Sequence, residues 1–122
     1  MKNLIFTLTG LLFVSFVFSA NYNINISGFA YAPNSLTVQV SDNVTIQAST
    51  THPLVQVDKA TWTADGNTPM SGGWGTKTSN FTYNAIAADT IYFVCANHVS
   101  SSGMKGKIIV QGTSGINENN ST

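Results

Sequence analysis

Charge is scarce in this chain. Its 122 residues carry five basic and five acidic side chains, 8% in all, and no formal net charge. No field of one sign therefore marks a nucleic-acid or anionic-membrane partner. Cysteine is scarcer still, with one, Cys95, which excludes an internal disulfide framework and leaves an intermolecular bridge or a thiol with a task. Histidine occurs twice, at His52 and His98. Beyond the first 20 residues no stretch of ten or more shows helical spacing. The length suffices for about one domain with a single core.

One long apolar run is present, from Leu4 to Phe18 after Lys2. At about 15 residues it is short of the roughly 20 that span a bilayer, and it has the charged start and apolar middle of a secretory leader. Small residues at Ser19 and Ala20 permit cleavage after either, so residues 1–20 are expected to be a signal peptide, with an uncleaved anchor as the competing reading. At the other end Gly112 to Thr122 is polar and rich in Gly, Ser and Asn. Residues 113–122 are expected to form a disordered tail or linker.

Between the ends the pattern has period two. Ile24 and Ile26 alternate with asparagines, Leu36, Val38 and Val40 with Thr37 and Gln39, and Val44, Ile46 and Ala48 with Thr45 and Gln47. Val55 and Val57 flank Gln56, Phe81 and Tyr83 flank Thr82, and strands follow at Ile91 to Cys95 and near Lys107 to Gln111. Ser41-Asp42-Asn43 is a tight turn, and the Trp62 to Asn80 connection has room for a short helical turn. This spacing predicts an all-β domain over residues 21–112, a Greek-key antiparallel β-sandwich of about seven to eight strands.

Alternation also sets which way the unusual side chains face. With Ile91 and Phe93 inward, Cys95 lies on the same side, and with Ile108 and Val110 inward so does Met104. His98 sits three residues after Cys95 on the loop between them, and His52 lies at the mouth of an earlier strand. Thiolate with imidazole selects copper or zinc. Zinc more often takes four strong ligands, whereas two His and one Cys with a weak, long Met is the donor set of blue-copper electron-transfer sites.

The segment Cys95-x-x-His98 followed by Gly103-Met104-Lys105-Gly106-Lys107-Ile108-Ile109-Val110 resembles the C-terminal copper loop of the cupredoxins, the plastocyanin, pseudoazurin and phytocyanin group. Upstream, AYAPNSLTVQVSDNVTIQAS resembles their strand-turn-strand pattern and HPLVQVDKATW their first-histidine segment, so the resemblance covers roughly Tyr22 to Gly112. It implies one type 1 copper with His52, Cys95 and His98 as equatorial ligands and Met104 as the axial one. Five residues separate His98 from Met104 where many members have four or fewer, which leaves a long axial bond, the Thr51 carbonyl or Met70 as alternatives. Pro53 stands where the family often has an asparagine that ties the ligand loops, so Thr50 or Thr51 is expected to supply that tether. The phytocyanin disulfide is missing.

The resemblance implies an exported, periplasmic or extracellular carrier of single electrons and not an enzyme, since no position is left open for substrate. An envelope copper carrier or buffer is the first alternative, and a metal-free interaction module on the same sandwich the second. The mature chain is expected to be a monomer that does not span a membrane. Redox partners are expected to dock transiently on an uncharged patch around His98, with Val99 and Pro53 beside it. Lys105 and Lys107 are expected to point to solvent, and Trp62 and Trp74 to be packing residues.

Overall fold

The computed structural model describes residues 18–112; most of the expected leader and the tail from residue 113 lie outside the described residues. Among the described residues nine strands form, β1 (Asn21–Ser27), β2 (Ala30–Ala32), β3 (Ser35–Gln39), β4 (Asn43–Ile46), β5 (Leu54–Val57), β6 (Thr76–Lys77), β7 (Phe81–Asn84), β8 (Asp89–Cys95) and β9 (Lys105–Gln111). Two short helices, α1 (Lys59–Thr63) and α2 (Val99–Ser102), interrupt them. Neither is long and apolar enough to cross a membrane.

The strands make a sandwich of two sheets, ordered β2-β1-β4-β7 and β3-β9-β8-β5-β6. The period-two reading holds: Ile24, Val38, Val44, Ile46, Ile91, Phe93, Ile108 and Val110 all face one buried core between the sheets. The expectation of purely antiparallel pairing does not hold throughout, because β1 runs parallel to β4 and β3 parallel to β9. The chain passes to the second sheet at β3 before returning at β4, so strands of the same sense become neighbours. Alternation reports which face is buried, not the direction of the neighbour.

Around the turn at Ser41-Asp42-Asn43, Ser41 has a left-handed φ of 89°. Asp42 is only 3% exposed. Its carboxylate accepts the main-chain N–H of Gln39 at 2.8 Å through Oδ2 and that of Ala20 at 2.9 Å through Oδ1. Ala20 in turn accepts the Asn43 N–H at 2.9 Å, so the β1–β4 ladder begins one residue before β1.

Strand β8 is buried on both faces near its end. Its outer face carries Val94, which joins Val55, Val57 and Val99 in a second apolar cluster under Trp62 and Tyr92. Helix α1 supplies Trp62 and starts at Asp58, whose side chain accepts the Thr61 N–H at 2.8 Å; the helical turn thus begins ahead of the connection where it was expected. The Trp62 indole N–H donates to Gly106 O at 2.9 Å. Lys105 is not free in solvent as its parity suggested: its ammonium lies 4.3 Å from the Trp62 ring centroid, pairs with Asp65 at 2.8 Å and donates to Trp62 O. Trp74 packs against Phe81, Tyr83 and Phe93, so both tryptophans pack as expected.

Gly106 faces Phe93 across the β8–β9 ladder. A Cβ there would lie 2.5 Å from Phe93 Cζ and 3.0 Å from Asn34 O. Gly106→Ala is expected to cost about 1–3 kcal/mol by overpacking, read as a lowered denaturant midpoint at unchanged slope. An unchanged midpoint would show that the Phe93 ring has room to yield.

Candidate metal centre

Strands β8 and β9 pair antiparallel through Val94 and Lys105. One step further the Cys95 N–H donates to Met104 O at 2.9 Å. Both residues are fully buried in the main core. The eight residues between them fold back compactly: His98 N–H donates to Cys95 O at 3.2 Å, Ser102 N–H to His98 O at 2.9 Å and Gly103 N–H to Val99 O at 2.9 Å. Gly103 ends α2 at φ 65°, a left-handed backbone that glycine adopts without the Cβ penalty. His98 caps α2 with its backbone only, which leaves its imidazole free for another task.

His52 arrives from the loop before β5. Its N–H donates to Ser49 Oγ at 3.1 Å and its carbonyl accepts the Ser49 N–H at 3.1 Å, a reciprocal pair that sets the loop. The β5–β8 register places Leu54 opposite Cys95, so the residue two before Leu54 lies beside the sulfur. Cys95 Sγ is 3.4 Å from His98 Nδ1 and 3.7 Å from His52 Nδ1. The two imidazole centroids are 4.8 Å apart.

Two hydrogen bonds join the histidine loops. Ala96 N–H donates to Pro53 O at 2.9 Å, and the Asn97 side-chain amide donates to Thr51 O at 3.1 Å. A tether at Thr50 or Thr51 was expected, and the Thr51 carbonyl takes part; the donor, Asn97, was not foreseen. The Thr51 carbonyl thus accepts one hydrogen bond. Met70, the other axial alternative, is 42% exposed on the loop before β6.

Burial, and second the charge of a Cys95 thiolate, push the Tyr31 phenol well above its ordinary value. Tyr31 is thus neutral, and its hydroxyl is buried without a hydrogen-bond partner. His52, Cys95 and His98 form a cluster whose donor atoms lie within 4.8 Å of one another, and no carboxylate belongs to it among the described residues. A soft triangle of two imidazole nitrogens and one sulfur suits a thiophilic ion that tolerates three strong ligands. Donor separations of 3.4 and 3.7 Å are those of atoms sharing one ion at bond lengths of about 2.0–2.3 Å.

The surface around the histidines differs from expectation in one residue. Val99 is fully buried in the second core cluster and is no part of the exposed patch, because α2 turns the side chain after His98 inward. Phe29, on the turn between β1 and β2, takes the outer position. It is 58% exposed, with its ring centroid 4.7 Å from that of His98 and 6.2 Å from that of His52. The signal for it was an aromatic placed in a tight glycine turn, where no core explains it.

No family model matches the chain, and no curated protein does. Among solved structures it is similar to a pseudoazurin from Sinorhizobium, at 22% identity and a TM-score of 0.53 over 75% of this chain and 74% of that one. A reduced amicyanin variant matches at 22% identity and a TM-score of 0.50, over 73% of this chain and 80% of the other. A fern plastocyanin variant matches at 20% identity and a TM-score of 0.50, over 73% of this chain and 99% of the other. At these identities the likeness is one of fold.

Asn97→Ala is expected to lower unfolding free energy by about 1 kcal/mol and to weaken affinity for a thiophilic metal roughly tenfold. Metal titration and denaturation of the same protein give both values. Affinity equal to that of the unaltered chain would show that the loops hold their spacing without this amide.

Proposed function

The chain has the cupredoxin fold, and on that premise we propose that it is an exported blue copper protein that passes single electrons between redox partners. The observation that carries this reading is the triangle of Cys95 Sγ, His52 Nδ1 and His98 Nδ1 at the end of β8. Bound there, a copper ion would supply one-electron chemistry by alternating between Cu(I) and Cu(II). Cys95, fully buried, would bind as thiolate in a site closed to water from the core side. His52 is the ligand held by its own loop through Ser49. His98, half-buried like His52 and with the exposed Phe29 ring against its own, would offer a way to the surface. Met104, buried and joined to Cys95 by a backbone hydrogen bond, would hold the ion as the weak fourth donor.

The chain's own contribution is stiffness. One donor set can serve both oxidation states only if the scaffold stops the ligands from following the metal's changing preferences. The β8–β9 ladder, the Ser49–His52 pair and the two cross-loop bonds resist such motion. The role would be that of a carrier, with His52, Cys95 and His98 held in place in either oxidation state of a bound ion.

Copper-loaded protein is expected to be intensely blue, with one copper per chain and a reversible potential. Cys95→Ser should lose the colour; a variant that stayed blue would sink the assignment. Met104→Leu should keep copper and colour but have a raised potential, because a weak axial donor tunes the metal more than it holds it. Release of the copper on reduction, with no reversible couple, would favour delivery or storage of the metal instead.

Partner docking on this reading is apolar. The loop from Ala96 to Gly103 carries no lysine or acidic residue, and the leader takes Lys2 with it, leaving four lysines against five acidic residues. Steering by long-range charge is therefore weak, and the exposed Phe29 ring is the anchor that Val99 was expected to provide. Electron exchange with a protein partner should change by less than about tenfold from low to high salt. Phe29→Asp should slow it roughly tenfold or more. A steep salt dependence with no effect of Phe29→Asp would place docking elsewhere.

A further inference from the structure

We propose that the mature chain begins at Ala20, one residue before the expected boundary, and that its α-ammonium is the counter-ion of the buried Asp42 carboxylate. The inference rests on the reading of the apolar N-terminal run as a removed leader. It starts from a buried group with no partner of opposite sign. Asp42 is 3% exposed, and its carboxylate is held by two main-chain N–H groups, those of Gln39 and Ala20. Among the described residues no cationic side chain pairs with it. A buried carboxylate without a counter-charge is costly.

The donor from Ala20 is a main-chain nitrogen 2.9 Å from Asp42 Oδ1. Hydrolysis of the Ser19–Ala20 amide by a leader peptidase consumes one water, leaves a carboxylate on Ser19 and turns that nitrogen into an ammonium. The same contact then becomes a charge-assisted one, about twice as strong as a neutral hydrogen bond. Cleavage one residue later removes it altogether. A chain starting at Asn21 would lose both the Ala20 donor to Asp42 and the Ala20 carbonyl that accepts the Asn43 N–H, opening the first rung of the β1–β4 pairing beside a buried charge. A chain starting earlier would keep the neutral amide and leave Asp42 without its cation.

Ser19, the residue before Ala20, makes its bonds through the side chain, to Ser41 O and from the Asn43 amide, at the exposed surface. Cleavage after Ser19 also places Val17 third from the cut, where cleavage after Ala20 would place the larger Phe18; small residues are favoured near that site.

Intact mass and N-terminal sequencing of the full chain recovered from the cell envelope or medium test the position. A start at Ala20 is expected. A start at Asn21 or elsewhere overturns the inference and leaves export standing, whereas a chain retaining Met1 overturns both. The ion pair is tested apart from processing, on purified chains that begin at Ala20 with a free or an acetylated α-amino group. Acetylation keeps one N–H and removes the charge, and it should raise the unfolding equilibrium constant roughly tenfold. In an Asp42→Asn background the two forms should be equally stable. Equal stability with Asp42 in place would overturn the pairing.

Discussion

The backbone hydrogen bond from Cys95 N–H to Met104 O is the constraint on which the rest of the centre depends. It is the last rung of the β8–β9 ladder, and it closes a loop of eight residues at the moment the chain leaves the core. Because the rung is formed, Cys95 cannot rotate out of the apolar layer, and Met104 is brought back to the same depth. The loop then has too few residues to wander. Backbone bonds at His98, Ser102 and Gly103 fold it on itself, and they place the imidazole of His98 where it meets Cys95 Sγ and the Phe29 ring.

The second histidine depends on that loop in turn. His52 belongs to a different part of the chain; the Ser49 pair shapes its own loop, and the β5–β8 register and the bonds from Ala96 and Asn97 hold that loop against β8. Each such bond is worth about 1 kcal/mol net, but they act on one rigid body. Shifting His52 away from Cys95 would break them together. Tyr31, whose phenol is pushed further above its ordinary value by burial, adds a neutral side chain to the same core.

Much of this was legible before any coordinates. Alternation at Val44, Ile46, Phe93 and Ile108 marks the inner faces because side chains on a strand have period two. The same rule carried Cys95 and Met104 inward. What remained hidden depends on geometry that spacing does not encode. Strand direction at β1–β4 and β3–β9 follows from a crossing between sheets. Val99 escapes a reading that treats the residues after His98 as free loop; once they form a helical turn, successive side chains diverge by about 100°, and Val99 points to Val55 and Val94. Phe29 was missed because its place in a glycine turn marks it as unusual without saying which distant loop it meets, and Asn97 because an exposed asparagine reads as surface.

The strand order carries a consequence for life at high concentration. Of the strands with seven residues, β8 and β9 lie inside their sheet, whose edges are left to β3 and β6 with five and two, while β1 pairs with β4 over its first half and with β2 over its second. A chain with almost no net charge has little electrostatic repulsion to keep copies apart. Unpaired strand edges are the usual template for one copy to add to another, and short edges offer few rungs. Resistance of this kind is topological, and salt does not screen it.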